Sequence, residues 1–236
     1  MITVLHKADS RGHAAHGWLE SYHTFSFAGY HDPGRVHFGA LRVLNDDSVA
    51  PGMGFGKHPH DNMEIISIPL EGDLQHEDST GTKAVIRQGD VQIMSAGTGI
   101  LHLEKNADSD KHVKFLQIWV FPNQKDVAPR YDQRSFSEEE QHNKLLTVVS
   151  PMGNPEGVNI HQDAWFSLGK LDTGVAIEYA LHKEGNGVYA FVLDGDITIN
   201  GITLNRRDGL GISDTSLLTI KSDTTARLLL MEVPMN

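Results

Sequence analysis

Short apolar runs, each about the length of one β-strand, recur along the whole chain and are separated by turn-forming residues. Residues 63–70 and 115–121 are two such runs, and both are rich in the β-branched or aromatic residues that favour strands. Turn sequences such as Glu-Gly-Asp at 71–73 and Gln-Gly-Asp at 88–90 follow at the spacing of a sandwich or barrel. The 23 glycines fit such a chain, because tight turns need them. The pattern predicts an all-β fold.

The second half of the chain repeats short phrases of the first half. Residues 66–73 resemble residues 189–196, since both are apolar runs that end in an acidic residue, Gly and Asp. Residues 87–90 resemble residues 205–209 in the same way. The two pairs occur in the same order along the chain, so we predict a duplicated barrel.

A polar segment at 123–143, which contains Pro129, lies between the two sets of predicted strands and is typical of a linker. We therefore predict an N-terminal barrel at 1–122, a linker at 123–143 and a C-terminal barrel at 144–236. One helix is predicted to begin near Ser135, because serine precedes three glutamates that suit a first helical turn.

Charge and cysteine content exclude several classes of function. The formal charge is −11 and no run of lysine or arginine is present, which argues against nucleic acid and anionic membranes as partners. Without cysteine, any metal must be held by imidazole and carboxylate groups. The N-terminus lacks the pattern of a secretion signal, and no apolar run approaches the roughly 20 residues that span a bilayer. A cytoplasmic protein is the resulting expectation.

Eleven of the 14 histidines precede residue 113, and two pairs among these residues have the spacing of a metal site. His58 and His60 are two residues apart, so in a strand they project to the same face. His102 and Glu104 repeat this spacing and add a carboxylate. On neighbouring strands the two pairs would place four ligand atoms around one point, a set that suits Fe, Mn, Ni, Cu or Zn. The set does not distinguish a catalytic from a closed structural site.

The sequence around these pairs resembles a known family. Residues 52–72 and 89–102 look like the two cupin motifs. Three segments are similar in sequence to the pirin family, and within it to bacterial pirin-like quercetin 2,3-dioxygenases. They are residues 58–64 (HPHDNME), 94–104 (MSAGTGILHLE) and 13–27. The resemblance covers the whole first barrel and continues more faintly through the second.

This resemblance implies two cupin barrels of the jelly-roll type in tandem, with one divalent metal in the N-terminal barrel and none in the C-terminal barrel. Iron is expected ahead of Mn, Ni, Cu and Zn. The implied metal ligands are His58, His60, His102 and Glu104. Glu64 occupies the place of a glutamate ligand in many cupins and is expected here to orient a ligand imidazole from behind. Trp119 is expected to be a packing residue, and His76 a surface or hydrogen-bonded core residue.

The implied activity is the opening of the heterocycle of a flavonol such as quercetin by dioxygen, with a small aromatic substrate and dioxygen as partners. Glu104 is expected to accept the proton of the substrate 3-hydroxyl. His23, Phe25 and Phe27 are expected to line the mouth of the pocket. Two alternatives stay open: a metal-dependent regulatory protein that binds a protein partner, and a cupin enzyme of another type, such as a sugar isomerase.

Overall fold

The computed structural model describes residues 1–235, which form 22 β-strands and one short 3₁₀ turn at Ala8–Ser10. The strands of the first half are β1 (Ile2–His6), β2 (Gly12–Ala15), β3 (Leu19–His23), β4 (Leu41–Val49), β5 (Gly54–His60), β6 (Glu64–Glu71), β7 (Leu74–Asp78), β8 (Lys83–Ile86), β9 (Asp90–Ser95), β10 (Ile100–Asn106), β11 (Val113–Val120) and β12 (Arg130–Ser135). The strands of the second half are β13 (Leu145–Pro151), β14 (Val158–Ile160), β15 (Trp165–Leu171), β16 (Ala176–Ala180), β17 (Asn186–Asp194), β18 (Ile197–Ile199), β19 (Ile202–Leu204), β20 (Gly209–Ser213), β21 (Leu217–Ser222) and β22 (Ala226–Pro234). Within the same range, no helix has the length and apolar character needed to cross a membrane.

Each half of the chain pairs a seven-stranded sheet with a four-stranded sheet. In the first half the orders are β12-β9-β6-β11-β4-β3-β2 and β5-β10-β7-β8. The sheets formed by the second half have the orders β1-β20-β17-β22-β15-β13-β14 and β16-β21-β18-β19, and the first of them takes in β1 from the N-terminus. Neighbouring strands are antiparallel except β13 and β14, which run parallel. The predicted all-β fold with two cupin barrels in tandem is therefore confirmed.

The two seven-stranded sheets also pack against each other. One large apolar cluster combines Phe25 and Leu44 of the first barrel with Tyr189 and Met231 of the second. Because these sheets are covered on both faces, β6 and β17 are buried along nearly their whole length. Strands β10 and β21 of the four-stranded sheets instead alternate between buried and exposed residues, since one face of each meets solvent. The halves thus share a core as well as a linker.

Strand pairing departs from the predicted domain boundaries at two places. Ile2–His6 pairs with β20, so residues 2–6 complete the sheet of the second barrel although they were assigned to the first. They cross over because β20 offers an open edge there, and main-chain hydrogen bonds fill it. Arg130–Ser135 pairs with β9, so part of the segment expected to be a linker is a strand of the first barrel. The boundaries elsewhere stay a prediction.

The helix predicted near Ser135 is absent from the structure, which is a correction to the sequence analysis. Ser135 ends β12, and a single turn follows. Ser137 and Glu140 do exchange the two hydrogen bonds of a helix-capping box, at 2.8 Å and 3.3 Å. The chain then leaves the helical path, because the Gln141 carbonyl accepts a hydrogen bond from the Lys170 amide. Pairing with the second barrel overrides the local signal.

Candidate metal centre

Three imidazoles converge inside the first barrel. One ring nitrogen each of His58, His60 and His102 lies within 4.8 Å of the others, and we call these three residues the imidazole group. His58 and His60 project from β5 to one face, as their two-residue spacing predicts. His102 is directly opposite His58 on the neighbouring strand β10. The structure therefore brings together three of the four predicted ligands, and their binding of a metal stays a prediction.

The nitrogens of the imidazole group have the arrangement that a cation needs. Nε2 of His58 lies 3.0 Å from Nε2 of His102, which is about the separation of two neighbouring ligands that are each ~2.1 Å from one ion. Nδ1 of His58 is 2.8 Å from the Gly56 carbonyl, so Nδ1 carries a proton, and in the neutral ring Nε2 is the nitrogen that keeps its lone pair. Burial lowers the pKa of His60 to about 4 and that of His102 further, and neighbouring imidazoles add to both effects. Both rings are therefore neutral, as metal ligands must be.

The sequence of β5 explains how it can present two of these side chains. β5 is the outer strand of its sheet, where Pro59 is tolerated although it lacks an amide hydrogen. Gly54 lets β5 approach β10 closely, because a Cβ atom at this position would lie only 2.2 Å from the Glu104 carbonyl oxygen. The pairing register also shifts between His102 and Glu104, which re-aims the side chains of β10.

Glu104, the fourth predicted ligand, is buried next to the imidazole group but is not one of its members. Its carboxylate accepts hydrogen bonds from Ser67 Oγ at 2.9 Å and from Gln117 Nε2 at 2.5 Å. Burial raises the pKa of Glu104 to about 7, although these two hydrogen bonds oppose the rise. Its roles as metal ligand and as proton acceptor stay predictions.

A cavity of about 310 Å³ adjoins His58 and Glu104, and this size lies within the range of small-molecule sites. Burial raises the pKa of Asp47, one of the groups in its wall, to about 7. The aromatic side chains that line the cavity are Trp18, Phe27, Phe55 and Trp119. The polar side chains in its wall include Ser21, Asn45, Asp47 and Gln117. An apolar cavity with a few convergent polar groups beside the imidazole group is the arrangement of a ligand site.

Two of the three residues expected at the pocket mouth line this cavity. His23 and Phe27 do so, with their rings edge to face and 5.2 Å apart. Phe25 does not, which is a correction: its ring lies 5.4 Å from that of Tyr189, in the core between the two sheets. The reason is that β3 ends at His23, so the alternation of strand faces does not continue to Phe25.

Glu64 has other partners than those expected for a residue that orients a ligand imidazole. Its fully buried carboxylate accepts hydrogen bonds from Ser95 Oγ at 2.7 Å and from His161 Nδ1 at 3.3 Å. Neither partner belongs to the imidazole group, and His161 belongs to the second half of the chain. The expected role is corrected accordingly, because this carboxylate connects the two barrels.

Two side chains near the site were not assigned to it from the sequence. Trp119 was expected only to pack, yet it lines the cavity and its ring lies edge-on to that of His60 at 4.9 Å. His76 is a hydrogen-bonded core residue, one of the two expectations for it, but its ring also lies 5.4 Å from that of His102. Alternation along β11 could have placed Trp119 and Gln117 on one face, whereas His76 requires knowledge of the β7–β10 register.

Comparisons with known proteins cover both barrels. A family model described as Pirin matches residues 4–120, and one described as Quercetinase C-terminal cupin domain matches residues 147–233. The chain is 43% identical over 235 residues to the quercetin 2,3-dioxygenase of Escherichia coli (strain K12), with 99% of each chain covered. It is 40% identical over 225 residues to a pirin-like protein of Caulobacter vibrioides, covering 95% of this chain and 96% of that protein.

Among solved structures, the bacterial pirin YhhW from Escherichia coli in complex with nickel(II) has a TM-score of 0.94 to this chain. It is 40% identical in sequence, and 100% of both chains is covered.

Proposed function

The chain belongs to the pirin family, and on that premise we propose that it is a metal-dependent dioxygenase that opens the heterocycle of a flavonol such as quercetin. The observation that carries the proposal is the imidazole group beside a cavity lined by aromatic side chains. The name of the Escherichia coli relative supports the substrate class and the use of dioxygen. The nickel complex of YhhW supports a divalent metal as cofactor.

We assign the metal to the imidazole group, with Glu104 as the fourth ligand. Bound there, a divalent ion supplies Lewis-acid stabilisation to the negative charge of the deprotonated substrate. The neutral rings and the Nε2 lone pair of His58 fit this assignment. Iron remains the first expectation for the native metal, and metal analysis of protein from its own host would test it.

The cavity walls would bind and orient the flat rings of the substrate. Trp119 and Phe27 meet edge to face at 5.4 Å, and such aromatic walls suit a planar aromatic ligand. A substrate that fills the cavity also displaces water, which strengthens the hydrogen bonds at the reacting end. Phe27 and Trp119 are therefore proposed as substrate-contacting residues.

Glu104 would take the proton of the substrate 3-hydroxyl on one of its carboxylate oxygens. Ser67 and Gln117 donate hydrogen bonds to the two oxygens and so fix the direction of the carboxylate. Because Glu104 and His58 line the same cavity, a substrate hydroxyl at this end can reach the carboxylate. Because Glu104 is buried, its carboxylate is separated from the bulk solvent.

The proposal is tested with metal-free protein that is reloaded separately with Fe, Mn, Ni, Cu or Zn. The loss of quercetin absorbance and the uptake of dioxygen are followed together for each metal. We expect turnover with at least one metal, one dioxygen consumed per quercetin, and no turnover in anaerobic buffer. Turnover that continues without dioxygen would contradict a dioxygenase.

A pair of histidine variants provides the matched control. His58→Gln removes one member of the imidazole group and should lose both metal and turnover. His142→Gln removes an exposed histidine in the segment between the barrels and should keep both. If no metal gives turnover but the loaded protein captures a protein partner, the regulatory alternative replaces the enzyme proposal.

A further inference from the structure

A histidine and an aspartate form an enclosed pair behind the imidazole group. His76 and Asp78 lie on β7, which pairs with β10 so that Asp78 is opposite His102 and His76 is opposite Glu104. Both side chains are completely shielded from solvent, and Nε2 of His76 is 3.0 Å from Oδ2 of Asp78. Burying polar atoms costs folding free energy unless each of them has a hydrogen-bond partner. The partners of the other two polar atoms, Oδ1 of Asp78 and Nδ1 of His76, therefore need to be identified.

The surroundings of Asp78 fix which nitrogen of His76 carries the proton. Oδ1 of Asp78 accepts hydrogen bonds from the amides of Thr80 and Thr82, at 2.9 Å and 3.2 Å. Asp78 therefore acts as an acceptor on both oxygens, and Nε2 of His76 donates to Oδ2. In a neutral imidazole only one nitrogen is protonated, so Nδ1 of His76 keeps its lone pair.

His102 presents the complementary group. Its Nε2 points to Nε2 of His58, the side on which an ion would bind, so in a metal-binding ring the proton is on Nδ1. Among residues 1–235, Nδ1 of His102 and Nδ1 of His76 are both buried without a hydrogen-bond partner. The two ring centres are 5.4 Å apart. A collinear N–H···N bond of about 3 Å between two imidazoles places their ring centres roughly 5 Å apart, so these two rings lie at the distance that such a bond requires.

We propose that Asp78 and His76 are positioning residues that hold His102 in its metal-binding orientation through the relay Asp78–His76–His102. The proposal rests on the metal site proposed above. Asp78 accepts a hydrogen bond from Nε2 of His76, and Nδ1 of His76 would accept one from Nδ1 of His102, so each ring is fixed in one tautomer. Nε2 of His102 is then oriented with its lone pair toward the metal. The Gly56 carbonyl orients His58 in the same way, because it accepts a hydrogen bond from Nδ1 of His58.

Asp78→Asn tests this relay sharply because it changes hydrogen-bonding direction while keeping shape. Oδ1 of the asparagine can still accept from Thr80 and Thr82, whereas its amide nitrogen would donate to Nε2 of His76. The proton of His76 then moves to Nδ1, where it opposes the proton on Nδ1 of His102. We expect the Kd for nickel(II), measured by titration of metal-free protein, to rise about 10- to 100-fold.

The chain offers a matched control in Asp172→Asn. Asp172 accepts a hydrogen bond from Nε2 of His142 at 2.9 Å, so it is a carboxylate–histidine pair of the same kind, but it is exposed and far along the chain. Its substitution should leave the Kd for nickel(II) unchanged. His76→Phe keeps a ring and removes both nitrogens, so it should weaken nickel binding as Asp78→Asn does. The same effect in two different variants would not be explained by a folding defect in one of them.

A spectroscopic measurement separates the relay from a merely structural role. In ¹⁵N-labelled zinc-loaded protein, NMR should show His76 protonated on Nε2 and His102 protonated on Nδ1. In Asp78→Asn the His76 proton should move to Nδ1. Wild-type His76 protonated on Nδ1, or unchanged nickel binding in both variants, would overturn the relay alone. Wild-type protein that binds no nickel would contradict the metal site and the relay with it.

Discussion

Glu104 is the single side chain on which the proposed chemistry depends most directly. A fully buried carboxylate costs folding free energy, and here Ser67 and Gln117 offset the cost with two hydrogen bonds. The same burial shifts the pKa of Glu104 toward neutrality, which is where a general base is most effective. A buried carboxylate with a raised pKa that lines a cavity fits the role of base proposed for Glu104.

Glu104→Gln should lower the turnover number for quercetin by about 10²- to 10⁴-fold, because the amide keeps the shape of the side chain but cannot accept the hydroxyl proton. Turnover is measured per bound metal, with the metal content of each preparation determined in parallel. Unchanged turnover per metal would eliminate Glu104 as the base, whereas loss of the metal itself would point to its role as a ligand.

For single residues, the two-residue spacing of ligand-type side chains in the sequence predicted the imidazole group, but it did not predict the positions of all its neighbours. His58 and His60 share a face because the strand period is two, and that rule needs no knowledge of the fold. Phe25 has the same spacing from His23, yet it packs in the core because the strand has ended. The position of His76 next to His102 depends on the pairing of β7 with β10, and this pairing cannot be predicted from the local sequence of either strand.

The pairing of β5 with β10 is the structural element that assembles the site. Both strands contribute members of the imidazole group, and the register sets His58 opposite His102. Gly54 lies at the start of β5, against the backbone of Glu104, where no side chain fits. Gly56 lies two residues further along the same strand and has open space around its Cα. These two glycines therefore allow the role of close strand approach to be tested within one strand.

Gly54→Ala should destabilise the protein by about 1–3 kcal/mol and weaken nickel binding, because the new methyl group pushes β5 away from β10. Gly56→Ala keeps the main-chain carbonyl that bonds Nδ1 of His58 and adds a methyl group in open space, so it should leave nickel binding unchanged. Denaturant unfolding and nickel titration of the two variants provide the comparison. Equal behaviour of both variants would show that close approach of the strands does not matter for the site.

Elements that depend on contacts between the halves escaped prediction. Residues 135–140 have the sequence of a helix start, and the capping hydrogen bonds form. The carbonyl of Gln141, however, accepts a hydrogen bond from the Lys170 amide of the second barrel, and no helix follows. The pairing of Ile2–His6 with the second barrel was not predicted, since its partner strand β20 lies about 200 residues further along the chain. Local propensity cannot report such long-range pairing.

At the scale of the whole molecule, the two barrels share one apolar core and are joined by polar contacts. The Phe25–Tyr189 contact lies in this core, and the Glu64–His161 hydrogen bond crosses between the halves. The N-terminal strand adds a third connection, in which Nδ1 of His6 is 2.8 Å from the Tyr189 hydroxyl. The second barrel has an apolar cluster of its own, which includes Leu210, Leu218 and Leu230, and these connections join it to the barrel that carries the imidazole group.

Phe25→Ala should lower the free energy of unfolding by about 3–5 kcal/mol, because it removes a fully buried ring between the barrels. Both barrels should lose stability together, in a single denaturant transition. Phe121→Ala, at a position that is 39% exposed, should have a much smaller effect. Two separate transitions, of which Phe25→Ala moves only one, would contradict a shared core.

Acid should weaken the connection made by the N-terminal strand. Burial, helped by the nearby Arg35, lowers the pKa of His6 from 6.5 to about 4. Between these values the unfolded chain binds more protons than the folded protein, so stability falls as the pH falls through this window. The loss amounts to about 3 kcal/mol.

The variant His6→Gln should remove this part of the pH dependence, because glutamine can bond the Tyr189 hydroxyl without titrating. Urea unfolding between pH 7 and pH 4 measures the effect, and His31→Gln, at an exposed position, serves as the control. The same pH dependence in His6→Gln and in the unmodified protein would exclude His6 as its source.

The assignment of a metal to the imidazole group is tested most sharply by an anomalous difference map from crystals of nickel-loaded protein. We expect one nickel peak per chain, in the first barrel, about 2.1 Å from a ring nitrogen of each member of the imidazole group. A protein that takes up nickel elsewhere, or that leaves these three rings without a peak, would contradict it.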